Sequence, residues 1–112
     1  MSIEDAFEQI FHYYRSDENI RAIFAGESLS IVLKFLDTKR TFNINIHEDQ
    51  EILLDSNTPL KKPDVLVRIR SEQILLDLIN GEIPVAEPFA KGKIIIVKGF
   101  TKIARLYRKY VK

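Results

Sequence analysis

The sequence predicts an α+β fold, one domain spanning residues 1–112, in which helices pack on one face of a curved, mostly antiparallel sheet. Two observations carry that expectation. The apolar residues recur at helical spacing at both ends of the chain and alternate with period two in between. The chain is also of single-domain size: 112 residues, 46% of them apolar and 29% charged, without repeats, low-complexity tracts or linkers, and long enough to bury a core.

Taken in order, residues 2–15 read as a helix. Ile3, Phe7, Ile10, Phe11 and Tyr14, with Ala6, fall at i, i+3, i+4 and i+7. Ser2 is placed to cap it, with Asp5 three residues on as a short capping box. Asp17 starts a second, shorter helix carrying Ile20, Ile23 and Phe24, ended by Gly26. The period then changes. Leu29, Ile31, Leu33 and Phe35 alternate with Ser30, Val32 and Lys34, "DTKR" turns the chain, and Phe42, Ile44 and Ile46 alternate with Asn43, Asn45 and His47. This is a β-hairpin with one apolar face. "EILLD" follows as a short strand, and Pro59 and Pro63 mark a loop. Val65, Val67 and Ile69 alternate with Leu66, Arg68 and Arg70 in a further strand.

Ser71 is placed to cap a helix over 72–80 whose apolar stripe is Ile74, Leu75, Leu78 and Ile79. Gly81 supplies its left-handed stop. Pro84 and Pro88 then stiffen a connection around the sheet edge. The run 93–98, with Ile94-Ile95-Ile96-Val97 at its centre, has no polar side and reads as an inner strand covered on both faces. A second copy of the chain, in a homodimer, is one way to cover the second face. The last helix, 101–111, has Ile103, Leu106, Tyr107, Tyr110 and Val111 on one side. Lys102, Arg105, Lys109 and Lys112 lie on the other.

Charge is uneven along this order. Residues 1–55 carry eleven acidic and five basic side chains, whereas residues 91–112 carry eight basic and none acidic, within a net charge of +1. No nucleophile–base set, HExxH, P-loop or dinucleotide fingerprint is present, so no catalytic residue, metal site or cofactor is expected. His12 reads as a packing or surface residue on the first helix. His47, beside Glu48, Asp49 and Glu51, reads as a strand end, and that acidic cluster, with Asp55, as a solvated edge. The polar positions of the sheet offer no aromatic platform, so nucleic acid is not an expected partner. The chain has no cysteine and no apolar run near the roughly 18 residues of a membrane span. With an acidic N-terminal stretch unlike a signal peptide and a C-terminal "YVK" unlike a peroxisomal address, a cytoplasmic location is expected.

Three stretches, in this order and spacing, carry a resemblance. "KPDVLVRI" at 62–69, "LLDLINGEI" at 75–83 and "FAKGKIIIVKG" at 89–99 resemble the sterol carrier protein 2 (SCP2-like) lipid-binding family. The upstream hairpin with "FNINIH" and the helices before it are similar to the family in order and length. The chain departs from the pattern in its glycine-free "DTKR" turn and at Phe100, where an acidic residue is common. The resemblance implies a five-stranded sheet with helices over one face and an apolar tunnel between the layers. It also implies a non-enzymatic role in binding, and in transferring between membranes, a sterol, fatty acid, acyl-CoA or isoprenoid. The side chains expected to line such a space are those on inner helical stripes and on the connection: Phe7, Ile10, Phe11, Tyr14, Phe24, Leu75, Leu78, Ile79, Phe89, Ile103, Leu106 and Tyr107. Lys102, Arg105, Lys109 and Lys112 are the expected contacts to an anionic membrane. The rival expectation is an accessory module with a solid core that docks a partner protein.

Overall fold

The computed structural model describes residues 2–47, 52–55 and 62–110, the side chains of 52–55 and Tyr110 excepted. Helix α1 (Ile3–Ser16) begins at the expected box: the Asp5 N–H donates to Ser2 Oγ (3.1 Å) and the Ser2 N–H to Asp5 Oδ2 (3.3 Å). Helix α2 (Glu18–Ile23) begins at Asp17, whose Oδ1 accepts from the Ile20 N–H at 3.0 Å. Each cap satisfies backbone donors that the first turn leaves open.

Strands β1 (Leu29–Phe35), β2 (Thr41–Ile46), β3 (Ile52–Asp55), β4 (Val65–Ile69) and β5 (Ile94–Lys98) form one sheet in the order β3-β2-β1-β4-β5. It is mixed: β1 pairs β2 antiparallel (Leu33 opposite Phe42) and β4 parallel (Phe35 opposite Ile69), while the β2–β3 and β4–β5 pairings are antiparallel. One face carries Leu29, Phe35, Phe42, Ile46, Val65, Val67, Ile69 and Ile94. These share a core with Ile3, Phe7, Phe11 and Tyr14 of α1, Ile74 of α3 (Glu72–Ile79) and Leu106 of α5 (Phe100–Tyr110). Phe7 lies 4.8 Å from Phe42, centroid to centroid, and Phe35 meets Phe42 edge to face at 5.7 Å. These are the separations at which ring pairs attract beyond their area alone. Arg40, over the Phe42 ring at 4.9 Å, pairs with Glu4 and Glu72 and so ties both α1 and α3 to the hairpin.

The run 93–98 is not an inner strand. β5 lies at the edge of the sheet, with Ile95 49% and Val97 45% exposed. An unbroken apolar run marks burial on both faces only when the strand is central, and the central strand here is β1. On its second face Val32 is buried, as is its register partner Asn43 on β2. Two further expectations need correcting. Ser71 stands at the N-cap of α3 but makes no side-chain cap bond; Asp37, in the turn after β1, instead accepts from the Glu72 N–H at 3.4 Å. The proline-bearing connection contains a short helix, α4 (Ala86–Ala90). Buried Pro88 falls in its first turn, where a missing N–H costs nothing. The acidic cluster at 48, 49 and 51, and Val111, lie outside the described residues.

Gly99 explains why two of the sequence stretches singled out above occur together. It joins β5 to α5 with φ +87°, and a Cβ there would press on the Asp64 carbonyl oxygen and lie 2.9 Å from Val65 Cγ2. Glycine is needed both for the backbone angle and for the contact with the start of β4.

Candidate functional site

A cleft of about 300 Å³ opens between α2, β1 and α5. Ile20, Ile23 and Phe24 form one wall, Leu29 and Ile31 the floor, and Ile103, Leu106 and Tyr107 the other wall. Its origin is local. α2 is only six residues long and buries none of them fully, so its apolar stripe leans toward the sheet without closing on it. α5 approaches from the other side through Leu106, 8% exposed, while Tyr107 stands at the rim, 62% exposed. Tyr14 backs the first wall, its ring 5.4 Å from that of Phe24.

The two walls are tied by one carboxylate. Glu27, just past α2, accepts two bonds from Arg105 (Nη1–Oε2 2.6 Å, Nη2–Oε1 2.8 Å) and one from Lys109 Nζ at 3.0 Å. Its side chain is 15% exposed. The bonds from Arg105, then from Lys109, hold its carboxyl down at about 2, against an ordinary 4.5. A depressed carboxylate adds stability that is complete above its unfolded value and fades as pH falls toward its folded one. Glu27→Gln is therefore expected to lower stability by about 1–2 kcal/mol near neutral pH. The gap between variant and wild type should narrow from about pH 4.5 and close near pH 2 in urea unfolding followed across that range.

Asp64 plays the same part at the start of β4. Its Oδ2 accepts from the Ser30 N–H (2.9 Å) and Oγ (3.2 Å), its own N–H donates to Ser30 Oγ (2.9 Å), and its Oδ1 takes Lys102 Nζ at 2.7 Å. Lys102 first, then the Ser30 bonds, hold its carboxyl below the usual range. The "KPD" stretch thus joins β1, β4 and α5.

Solved structures share this fold over nearly the whole chain. The palmitated SCP2L2 of Aedes aegypti superposes with a TM-score of 0.68 at 20% identity, covering 95% of this chain and 91% of that one. The apo form of sterol carrier protein 2 from Yarrowia lipolytica gives 0.56 at 13% identity, covering 92% and 88%. This chain has the sterol carrier protein 2 fold. The same fold recurs inside a larger protein: the sec-alkylsulfatase Pisa1 from Pseudomonas sp. matches 77% of this chain at a TM-score of 0.63 and 13% identity, and this chain spans only 13% of its length. No protein-family model and no curated sequence relative matches.

Within the sterol carrier fold, the residues singled out from the sequence separate into groups. Phe24, Ile103, Leu106 and Tyr107 line the cleft. Phe7, Phe11 and Tyr14 sit in the packed core, and Leu75 and Leu78 are half-buried against it. Ile10 and Ile79 share a second depression, of about 340 Å³, with Gln9 and Tyr13. Phe89, on α4, is 44% exposed. Ile20, Ile23, Leu29 and Ile31 line the cleft and were not among the expected residues. Their periodicity was legible, but the cleft exists only where the short α2 meets the inner face of β1. His12 and His47 are both exposed.

Lys102, Arg105 and Lys109 are exposed on α5, as expected. Lys102 is paired with Asp64, and Arg105 and Lys109 with Glu27. Lys109 also reaches the Ile23 carbonyl at the end of α2, at 3.4 Å. Helical spacing puts the cations on one side but does not show that acids 38 and 78 residues earlier in the chain meet them. Lys112 lies outside the described residues. No described helix is long and apolar enough to cross a membrane.

Proposed function

We propose that this protein binds a lipid-like apolar ligand, without chemical conversion, in the cleft between α2, β1 and α5, and carries it between membranes. The observation that carries this reading is the lining: eight side chains, of which only Tyr107 bears a polar atom. A volume of about 300 Å³ is at the lower end for small-molecule sites, enough for part of an acyl chain with the remainder leaving past Tyr107. Hiding roughly 200 Å² of hydrocarbon at about 25 cal/mol per Å² is worth about 5 kcal/mol before ordering costs. The fold shared with a protein solved in palmitated form supports the same ligand class.

The test is a substitution that fills the space. Ile31→Trp places an indole on the cleft floor and is expected to weaken cis-parinaric acid binding by about tenfold or more while leaving thermal stability nearly unchanged. Leu78→Trp, away from the cleft, should cost about 1–3 kcal/mol by overpacking and spare binding. Native mass spectrometry of the purified protein should show a co-purifying lipid that Ile31→Trp lacks. An Ile31→Trp variant that binds as wild type, or that is strongly destabilised, argues for a filled interior and for the partner-docking module instead.

A further inference from the structure

We infer that the outer face of the sheet, at β4 and β5, is a docking surface for an anionic lipid bilayer. The argument begins with which cations are already neutralised. Those of α5 that face α2 and β4 are held by Glu27 and Asp64. On the sheet face opposite the cleft the situation is reversed. Lys34 and Arg68 are direct register partners on β1 and β4, and Arg70 continues the same alternation. Lys98 is the register partner of Leu66 on that face. Among the described residues, none of these four cations makes an ion pair. Like charges directly opposite on adjacent strands destabilise a sheet, so the fold carries a cost here that a counter-surface would relieve.

The same face carries apolar side chains next to the charges. Ile95 is the register partner of Arg68, and Val97 occupies the irregularity between Ile96 and Lys98; both are nearly half exposed. Cations flanking short aliphatic side chains fit a surface offering negative charge and, just beneath it, hydrocarbon. Aliphatic side chains also distinguish this face from a nucleic-acid surface, where aromatic rings would take stacked bases. Each basic residue near an anionic bilayer contributes attraction that salt screens away, and without a deep apolar anchor the contact stays reversible.

The experiment is co-sedimentation with phosphatidylcholine vesicles containing or lacking phosphatidylserine. Wild type is expected to bind only the anionic vesicles and to release as salt shortens the screening length to about 3 Å. Lys34→Gln with Arg68→Gln should weaken partitioning by roughly thirtyfold, two cations at about tenfold per 1.4 kcal/mol. Arg15→Gln with Arg108→Gln, which removes the same charge from α1 and α5, should leave it within about threefold. Ile31→Trp, on the opposite face, should not alter vesicle binding, which separates this surface from the cleft. Equal loss in both double variants, no preference for phosphatidylserine, or salt-sensitive binding to single-stranded RNA without vesicle binding would each overturn the assignment.

Discussion

Phe7→Ala is expected to cost about 3–5 kcal/mol, the range for truncating a fully buried phenylalanine. Phe7 is 1% exposed and meets both Phe11 and Phe42. Removing it leaves a void where α1 crosses the hairpin. Around that void stand Phe11 and Phe42, both buried, with Phe42 braced in turn by Phe35, so little can collapse into the space. Set against a typical stability of about 5–15 kcal/mol, this loss removes a large share of what holds the domain folded. Urea unfolding should show a lower midpoint with an unchanged slope, since the surface exposed on unfolding hardly changes. Ile10→Ala, one turn away and 37% exposed, should cost no more than about 1 kcal/mol. Similar losses in both would mean that the rings near Phe7 do not pack as described.

Gly99→Ala is expected to cost about 2–4 kcal/mol, although it adds one methyl group. Part of the cost is the backbone angle, disfavoured for any residue with a Cβ. The larger part is steric: the methyl meets the backbone of Asp64 and Val65, where a strand and a helix start would have to move apart. Gly81→Ala separates the two terms, since Gly81 has φ +73° with nothing within 4 Å of a built Cβ. It should cost only about 1 kcal/mol. Thermal unfolding of the two variants side by side gives the comparison. Equal losses would show that the close approach at Asp64 contributes nothing.

The periods were enough to find α1, α2, β1, β2, β4, α3 and α5, because each is a run in which burial on one face sets the residue type. What failed did so for spatial reasons. The apolar run at Ile94–Val97 suggested a central strand because an edge strand needs no such residues on its outer face; here Ile95 and Val97 are exposed. The basic stripe of α5 was legible, its neutralisation was not, because Glu27 and Asp64 belong to other segments. The cleft was half legible. Its helical walls include residues with a visible stripe, such as Ile103 and Leu106, but its floor at Leu29 and Ile31 looks in the sequence like any strand interior. Periodicity reports which side chains leave water, not whether they meet one another when they do.

The parallel pairing of β1 with β4 has a kinetic side. The β1–β2 hairpin closes across a short turn, which in general takes microseconds. β4 must then reach the other edge of β1, placing Ile69 beside Phe35 across a long intervening chain, and that loop entropy is spent before any contact repays it. α5 takes part of its support from Asp64 and from the close approach of Gly99 to Val65, and that part is in place only once β4 is seated. The second wall of the cleft is thus completed only after that long-range pairing has formed. In the native state the first wall, α2, which buries none of its six residues fully, is the one that local opening is expected to reach first, exposing the apolar floor without dismantling the aromatic core beneath α1.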